Sequence, residues 1–365
     1  MNREVDYGVL QSKTVNFLRY PLMLMIVCIH VEVQTMMQLN PKTFAVDLFW
    51  FTQLLCKVAM PLFFIISGYY FFFSADGGVF DKAKYKAKLK NRIRTLLIPY
   101  LFWNFFTWLF LILSLLIAGH PEWIAPNEFT ASNLLDTFVG IGKDFDGMPK
   151  NFPLWFIRDL MVLCVLSPLL YKILRNGKYY VLIILFCVFL LPYPDGWSKI
   201  FMRFPTALFF FSLGAYFSIN KINMIQFVRQ RISVLGGAIV VVLLTVLYYN
   251  AGKLPLVDSP TVLKCFRLAL IVPVLQLSSY LVEHGKVKAY PEIWNSAFFL
   301  FALHPVINKY CVVHWIYPLL SQRSVNFLLL YFVQVFGTAL LCFVVAFILR
   351  KLIPPFAAFI TGGRK

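Results

Sequence analysis

The chain has 365 residues, of which 60% are hydrophobic, 18% aromatic and only 14% charged. A soluble domain usually carries about a quarter charged residues, so this composition excludes an ordinary soluble protein. The net charge of +18 would suit a nucleic-acid binder. In a membrane chain it is typical of Lys and Arg held in cytoplasmic loops, and we expect no nucleic-acid partner. The seven Cys lie inside apolar runs without a CxxC pair, which predicts neither a disulfide nor a metal site.

Apolar runs approach or exceed about 18 residues many times along the chain, the length that crosses the hydrocarbon of a bilayer. We therefore predict an all-α integral membrane protein, with residues 1–365 forming a single polytopic domain of about ten transmembrane helices. The predicted spans lie near residues 19–37, 45–73, 95–118, 153–171, 179–192, 204–219, 233–250, 263–282, 293–313 and 325–349.

The distribution of Lys and Arg predicts the orientation of these spans. If the N-terminus is cytoplasmic, most of the 34 Lys and Arg residues fall in inner loops or at the inner ends of spans. The longest outer loop, 119–152, is instead rich in Asp and Glu. This alternation follows the positive-inside rule and predicts that the N- and C-termini are both cytoplasmic.

Polar residues within the spans require a structural or functional explanation, because placing a charge at the centre of a span costs roughly 3 kcal/mol or more of insertion free energy. In the first span, eleven helical steps return Arg19 and His30 to nearly one face, about 16 Å apart along the axis. Further polar residues at depth are Lys57, Ser67, Asn104, Arg158, Asp159, Lys264, Arg267 and His304, the last at a depth like that of His30. The set predicts a polar cavity that opens toward the outer half and has cations at its inner mouth.

Each of these residues also has a structural alternative. An intramembrane His is often only an interhelical hydrogen-bond partner, and Arg19 alone would serve as a snorkelling anchor. His304 precedes Pro305, where a kink would also need polar support. Arg158 and Asp159 are adjacent and point about 100° apart on a helix, so topology or a lid would explain them as well as substrate binding.

Several stretches, in this order and spacing, resemble acyltransferase family 3 of integral membrane O-acyltransferases. The stretches are the Arg-x10-His pattern from Arg19 to His30, KVAMPLFFIISGYYF (57–71), KNRIRTLLIPYLFWN (90–104), PLWFIRDLMVL (153–163) and FFLFALHPVI (298–307). Some members carry Arg-x-x-Arg before span three, whereas this chain has Lys90-x-Arg92-x-Arg94. Which two of these cations serve the family's role is left open at this point.

The resemblance implies an enzyme that moves an acyl group, often acetyl, from cytoplasmic acyl-CoA to a hydroxyl. The acceptor is often an extracytoplasmic or lipid-linked glycan, so we expect acyl-CoA, a glycan or glycolipid and membrane lipids as partners. We expect an O-acetyltransferase that crosses the bacterial inner membrane several times, with acetyl-CoA or another acyl-CoA as donor and no metal.

The residues suit that chemistry. Arg side chains bind phosphate through bidentate charge-assisted hydrogen bonds, so Arg19, Lys90, Arg92 and Arg94 are the candidate CoA-binding residues. The pantetheine arm would then reach His30, the candidate general base, whose ring is available in its neutral form at neutral pH. Lys57 and Ser67 are candidates for stabilising the oxyanion. The remaining candidates, for contacts with the substrate, are Trp155, Arg158, Asp159, His304 and Asn104.

Two other classes of function stay open on the sequence alone. A transporter or flippase for a lipid-linked saccharide or a small anionic substrate would show inverted repeats, broken helices and buried carboxylates. Neither repeats nor abundant carboxylates are clear in the spans. The third possibility is a structural partner in envelope glycan assembly, whose membrane histidines only pack.

Overall fold

The computed structural model describes residues 5–31, 44–73, 80–119, 121–124, 128–141, 147–191, 199–250, 259–288, 290–308, 311 and 327–363. Over these residues the secondary structure is helical and no strand occurs. The α-helices, numbered in chain order, are α1 (Tyr7–Ile29), α2 (Phe44–Cys56), α3 (Ala59–Phe72), α4 (Lys82–Arg92), α5 (Ile98–Ile117), α6 (Ala131–Val139), α7 (Trp155–Leu190), α8 (Lys199–Ile219), α9 (Met224–Arg231), α10 (Val234–Asn250), α11 (Ser259–Glu283), α12 (Pro291–Asn295), α13 (Ala297–Pro305), α14 (Phe327–Leu352) and α15 (Pro354–Thr361).

Six helical segments among the described residues are long and apolar enough to cross a membrane, and a seventh is added if a bent pair counts as one span. The bent pair joins Arg203–Ile219 to Met224–Arg231 at 94°. The six are Tyr7–Ile29, Asp47–Phe72, Lys82–Ile117, Phe152–Leu190, Pro260–Glu283 and Leu328–Leu352. The protein is therefore an all-helical, multi-pass membrane protein.

Several predicted spans differ from the structure. The predicted span 19–37 corresponds to α1, which begins at Tyr7 and ends at Ile29. The predicted spans 153–171 and 179–192 lie on one helical run, α7, which is kinked at Lys178, where φ is 49° and ψ is −138°. The predicted span 95–118 begins earlier, because α4 continues into α5 through the π-helical turn Ile93–Leu97. The predicted span 293–313 is split at Ser296 into α12 and α13, and its end lies outside the described residues.

The π-helical turn has a local cause in the sequence. Pro99 follows it and has no N–H to donate to the carbonyl of Thr95, so one α-helical hydrogen bond is missing at this point. π-turns of this kind often occur at functional sites, and this one carries Arg94.

Helices α3 and α8 cross in close contact at two glycines. A Cβ atom on Gly68 would lie 2.0 Å from the carbonyl oxygen of Phe211, and a Cβ on Gly214 would lie 2.0 Å from that of Ile65. Small residues allow membrane helices to approach this closely, and any larger side chain would separate them. The crossing fixes the position of α3 and therefore of Ser67, the neighbour of Gly68.

Candidate active site

Two histidines from distant parts of the chain meet inside the helical bundle. His30 ends α1, and its backbone N–H donates to the carbonyl of Val27 rather than continuing the helix. Its Nδ1 lies 3.1 Å from Nε2 of His304, and the two rings are nearly parallel, with centroids 5.3 Å apart and planes 16° apart. His304 is fully buried on α13, whereas His30 keeps part of its surface exposed.

The hydrogen bonds of this pair determine which nitrogen of His30 is basic when both rings are neutral. Nδ1 of His304 lies 3.0 Å from the carbonyl of Leu300, which can only accept, so this Nδ1 carries the proton. Nε2 of His304 is then an acceptor, and the facing Nδ1 of His30 must be the donor. The lone pair of His30 is left on Nε2, which is the nitrogen available to take a proton.

A buried asparagine connects the helices around the histidine pair through hydrogen bonds. The side chain of Asn151 donates to Thr107 Oγ1 and to the carbonyl of Ala302, each at 2.9 Å, and its backbone N–H donates to Asn104 Oδ1 at 2.9 Å. Asn151 thus connects α5 to α13, two residues before His304. The next residue, Phe152, places its ring edge against His30 with centroids 4.8 Å apart.

Asn104 was predicted as a substrate contact, and its surroundings explain why it is polar. The side chain is fully buried, and its Nδ2 donates to the carbonyl of Tyr100 at 2.9 Å while its Oδ1 accepts from Asn151. It does not line the cavity described next. Its hydrogen bond to the backbone of Asn151 supports the histidine pair.

A cavity of about 400 Å³ lies beside α1, within the size range of small-molecule sites. Its polar lining residues include Arg19, Ser67, Tyr70, Arg92 and Asn295, and its aromatic ones Phe63, Phe156, Phe298 and Phe301. Helix order separates a cationic end from an aromatic end, because Arg19 lies eleven residues before His30 and Asn295 nine residues before His304. Helix order places this aromatic end nearest the histidines, because Phe301 precedes His304 by three residues, or about 4.5 Å of helix.

Of the four predicted CoA-binding cations, Arg19 and Arg92 face the cavity. Arg19 is exposed at its mouth, and the half-buried Arg92 guanidinium lies over the ring of Phe71, 5.8 Å from the centroid. Lys90 is exposed and does not line the cavity. Of Lys90, Arg92 and Arg94, Arg92 is therefore the one that lines the same cavity as Arg19.

Arg94 lies instead beneath the C-terminal segment. Trp103 Nε1 donates to the carbonyl of Ile360 at 2.9 Å, which docks α15 on α5. Gly362 follows in a left-handed conformation, with φ of 70°, and a Cβ there would lie 2.7 Å from Thr95 Cα. A Cβ on Gly363 would lie 3.2 Å from an Arg94 guanidinium nitrogen. The tail thus packs directly on the turn that carries Arg94.

The two residues predicted to stabilise the oxyanion, Ser67 and Lys57, lie in different parts of the structure. Ser67 lines the cavity, whereas Lys57 lies in the turn between α2 and α3, half-buried and outside the cavity lining. Lys57 is within electrostatic range of Arg267, and the described residues bring no acidic group to this pair.

The remaining predicted contacts lie at the start of α7. Arg158 and Asp159 do not point apart: the long Arg158 side chain folds back so that its Nε lies 3.0 Å from Asp159 Oδ1. The expectation from helical spacing was therefore wrong for these side-chain ends. Arg158 Nη1 also donates to the carbonyls of Val139 and Gly147, at 2.8 and 3.1 Å. The guanidinium of Arg203 lies 5.8 Å from the ring centroid of Trp155.

Comparison with known proteins decides the family. Residues 13–351 match the profile of a family described as an acyltransferase domain. The chain belongs to acyltransferase family 3. It is also 28% identical over 316 residues to the succinoglycan biosynthesis protein ExoH of Rhizobium meliloti (strain 1021), covering 85% of this chain and 80% of that protein. No solved structure matches the chain.

In this acyltransferase, the sequence analysis did not identify several residues that form the site. Asn151 and Phe152 lie in the predicted outer loop, and Phe301 reads as one more apolar residue of its span. Arg203 stands at the edge of the predicted span 204–219. The one available signal was the Asn-Phe-Pro order, in which a polar residue and a helix-starting proline flank an aromatic ring.

Proposed function

We propose that this acyltransferase moves an acyl group, with acetyl as the expected one, from cytoplasmic acyl-CoA to a hydroxyl of a cell-surface or lipid-linked glycan. The observation that carries the proposal is a cavity lined by both Arg19 and Arg92, whose lining also includes Phe301, the residue one helical turn before His304. A glycan acceptor is supported by the relative whose name assigns it to succinoglycan biosynthesis.

The donor end of the cavity suits the chemistry of CoA. Arg19 and Arg92 offer guanidinium groups, which bind phosphate oxygens through paired N–H donors. Within the described part of the chain neither residue forms an ion pair with Asp or Glu, so both can neutralise a bound anion. Lys90 and Arg94 remain candidates for outer phosphate contacts at the same rim.

The transfer needs a group that takes a proton from the acceptor hydroxyl and later gives it to the departing CoA sulfur, and we assign both tasks to His30. His30 Nε2 takes the proton of the acceptor hydroxyl as its oxygen attacks the thioester carbonyl carbon. The tetrahedral intermediate collapses by breaking the carbon–sulfur bond, and the imidazolium returns the proton to the departing CoA sulfur. His304 holds His30 in the required tautomer, as the hydrogen bond at 3.1 Å supports. Ser67 and Lys57 remain the candidates to stabilise the oxyanion.

The topology follows the same logic. We infer about ten spans with both termini in the cytoplasm of a bacterial inner membrane, since this places Arg19 and Arg92 where acyl-CoA is available. The cluster of Trp155, Arg158 and Asp159 then lies toward the outer face, where a glycan acceptor would approach. Trp155 offers an apolar ring face, which suits the face of a sugar.

The test is release of free CoA from radiolabelled acetyl-CoA by the purified protein in lipid nanodiscs, with envelope glycan as acceptor. We expect His30→Ala to reduce labelled glycan and CoA release by 10²–10⁴-fold, the usual contribution of a positioned base. His284→Ala is the matched control, because His284 lies just beyond the end of α11 and is exposed. The activity of this variant should equal that of the wild type. In sealed proteoliposomes, substrate uptake by the wild type without CoA release would instead show a transporter.

A further inference from the structure

The cavity and the histidine pair are separated by aromatic rings. Phe301 lines the cavity, is 2% exposed, and has its ring centroid 6.4 Å from that of His304. Phe156 lines the cavity from α7, and its ring centroid lies 6.3 Å from that of Phe301. We call Phe301 and Phe156 the aromatic wall.

Along three helical segments the residues that line the cavity are followed or preceded, within seven residues, by a histidine of the pair or a residue in contact with it. On α13, Phe301 lines the cavity and His304 follows one turn later. On α1, Met23 lines the cavity and His30 follows after seven residues, which return to nearly the same helical face. Before α7 the order is reversed: Phe152 contacts His30, and Phe156, four residues on, lines the cavity.

Neither histidine lines the cavity itself. An acyl chain entering from the Arg19 end therefore meets the rings of the wall before it meets an imidazole. Phe156 is held firmly, since its ring packs on Phe64 at 4.6 Å and on Phe63 at 5.9 Å between centroids. The rings around Phe301, those of Phe156, Phe298 and His304, lie 6.3–6.4 Å from it between centroids, and one of them is an imidazole of the histidine pair.

We propose that Phe301 is the residue that selects the acyl group by size, with Phe156 as its fixed counterpart. This inference rests on the proposed function, because it assumes that the cavity takes an acyl-CoA. A short acyl group lets the thioester pass the ring of Phe301 and reach His30. A longer chain has to be accommodated behind the wall, where Phe152, His30 and His304 already fill the space with rings.

The predicted effect is a change in selectivity rather than only in rate. Each methylene that gains an apolar pocket improves binding by about fourfold. Replacing Phe301 by Leu or Ala provides such a pocket, so two extra methylenes should gain about 15-fold in relative kcat/KM. Phe301→Trp should act in the opposite direction and restrict the enzyme to its shortest donor.

The experiment measures CoA thiol release from acetyl-, propionyl-, butyryl- and hexanoyl-CoA by protein in nanodiscs with envelope glycan as acceptor. We expect the butyryl-to-acetyl ratio of kcat/KM to rise about 15-fold in Phe301→Leu and further in Phe301→Ala. Phe210→Leu is the matched control, because Phe210 is equally buried but lies on α8 outside the cavity, and its ratio should not change.

The outcomes separate this inference from the proposal on which it rests. An unchanged ratio in folded, active Phe301→Leu and Phe301→Trp variants would overturn the role of Phe301 and leave the acyltransferase proposal intact. A ratio that rises equally in Phe210→Leu would also overturn it, since the effect would then be general loosening of the bundle. Absence of CoA release from every donor in the wild type would contradict the proposed function itself.

Discussion

The donor end of the cavity and the cluster at the start of α7 both concentrate cations, but the protein uses those cations differently. Arg158 is ion-paired with Asp159 and donates to two backbone carbonyls, and nearby Lys150 pairs with Glu128 at 2.5 Å. Arg19 and Arg92 face the cavity and form no ion pair with an acidic residue over the described parts of the chain. Cations with protein partners build structure, whereas cations left facing a cavity can bind an anionic ligand.

The largest expected effect concerns the stability of the cluster at α7. Arg158→Leu leaves the buried Asp159 carboxylate without its ion-pair partner, which typically costs about 3–5 kcal/mol. We expect a clear fall in the melting temperature of the protein in detergent. Donor KM should stay unchanged in the folded fraction, and a large rise in the KM for acyl-CoA would show that Arg158 belongs to the donor site.

The next effect concerns the histidine pair. His304→Ala removes the acceptor for Nδ1–H of His30 and allows the wrong tautomer, which should lower kcat about a hundredfold. KM for acyl-CoA should change little, because His304 does not line the cavity. His304→Gln retains an amide oxygen at a similar reach and should restore part of kcat. Equal losses in both variants would reduce His304 to a packing residue.

Arg19→Ala and Arg92→Ala test the donor end itself. A hydrogen bond between charged groups contributes roughly 1.5–3 kcal/mol, so each change should raise the KM for acyl-CoA about 10–100-fold with a smaller effect on kcat. Arg19→Lys should recover only part of the affinity, because Lys lacks the paired N–H donors. Initial rates over a range of acyl-CoA concentrations separate these effects, and an unchanged KM in both Ala variants would remove the basis for the donor site.

The smallest effect concerns the C-terminal tail. Gly362→Ala places a methyl group against Thr95 in a left-handed conformation that costs L-residues roughly 1–2 kcal/mol. We expect the KM for acyl-CoA to rise a few-fold as the turn carrying Arg94 shifts. Gly119→Ala has a similar φ of 76° but no atom within 4 Å of the new Cβ, so it controls for backbone strain alone. Identical kinetics of the two variants would exclude a role for the tail.

Sequence reasoning predicted the helices and the polar residues at depth because both have strong local signals. Apolar length identifies spans, and a charged or titratable residue inside one is rare enough to be noticed. Arg19, His30 and His304 were found in this way, including the similar depth of the two histidines. Their contact was not predicted, because 274 residues separate them and helical periodicity says nothing about which helices become neighbours.

The remaining differences have specific physical reasons. The π-helical turn after Arg92 takes Arg94 out of regular α-helical spacing, and the sequence pattern did not predict such a turn. The pairing of Arg158 with Asp159 depends on a long side chain that folds back, which the direction of its Cβ does not reveal. The aromatic wall uses Phe residues, and in a chain with 39 of them composition alone cannot single out two.

The most direct test of the account is photo-cross-linking with an acyl-CoA analogue that carries a diazirine in its acyl group, followed by peptide mapping. The account predicts adducts on the peptides that contain Phe156 and Phe301, reduced by excess CoA and by Arg19→Ala. Adducts confined to lipid-facing surfaces such as α10, or insensitive to CoA, would contradict a donor cavity that leads to His30.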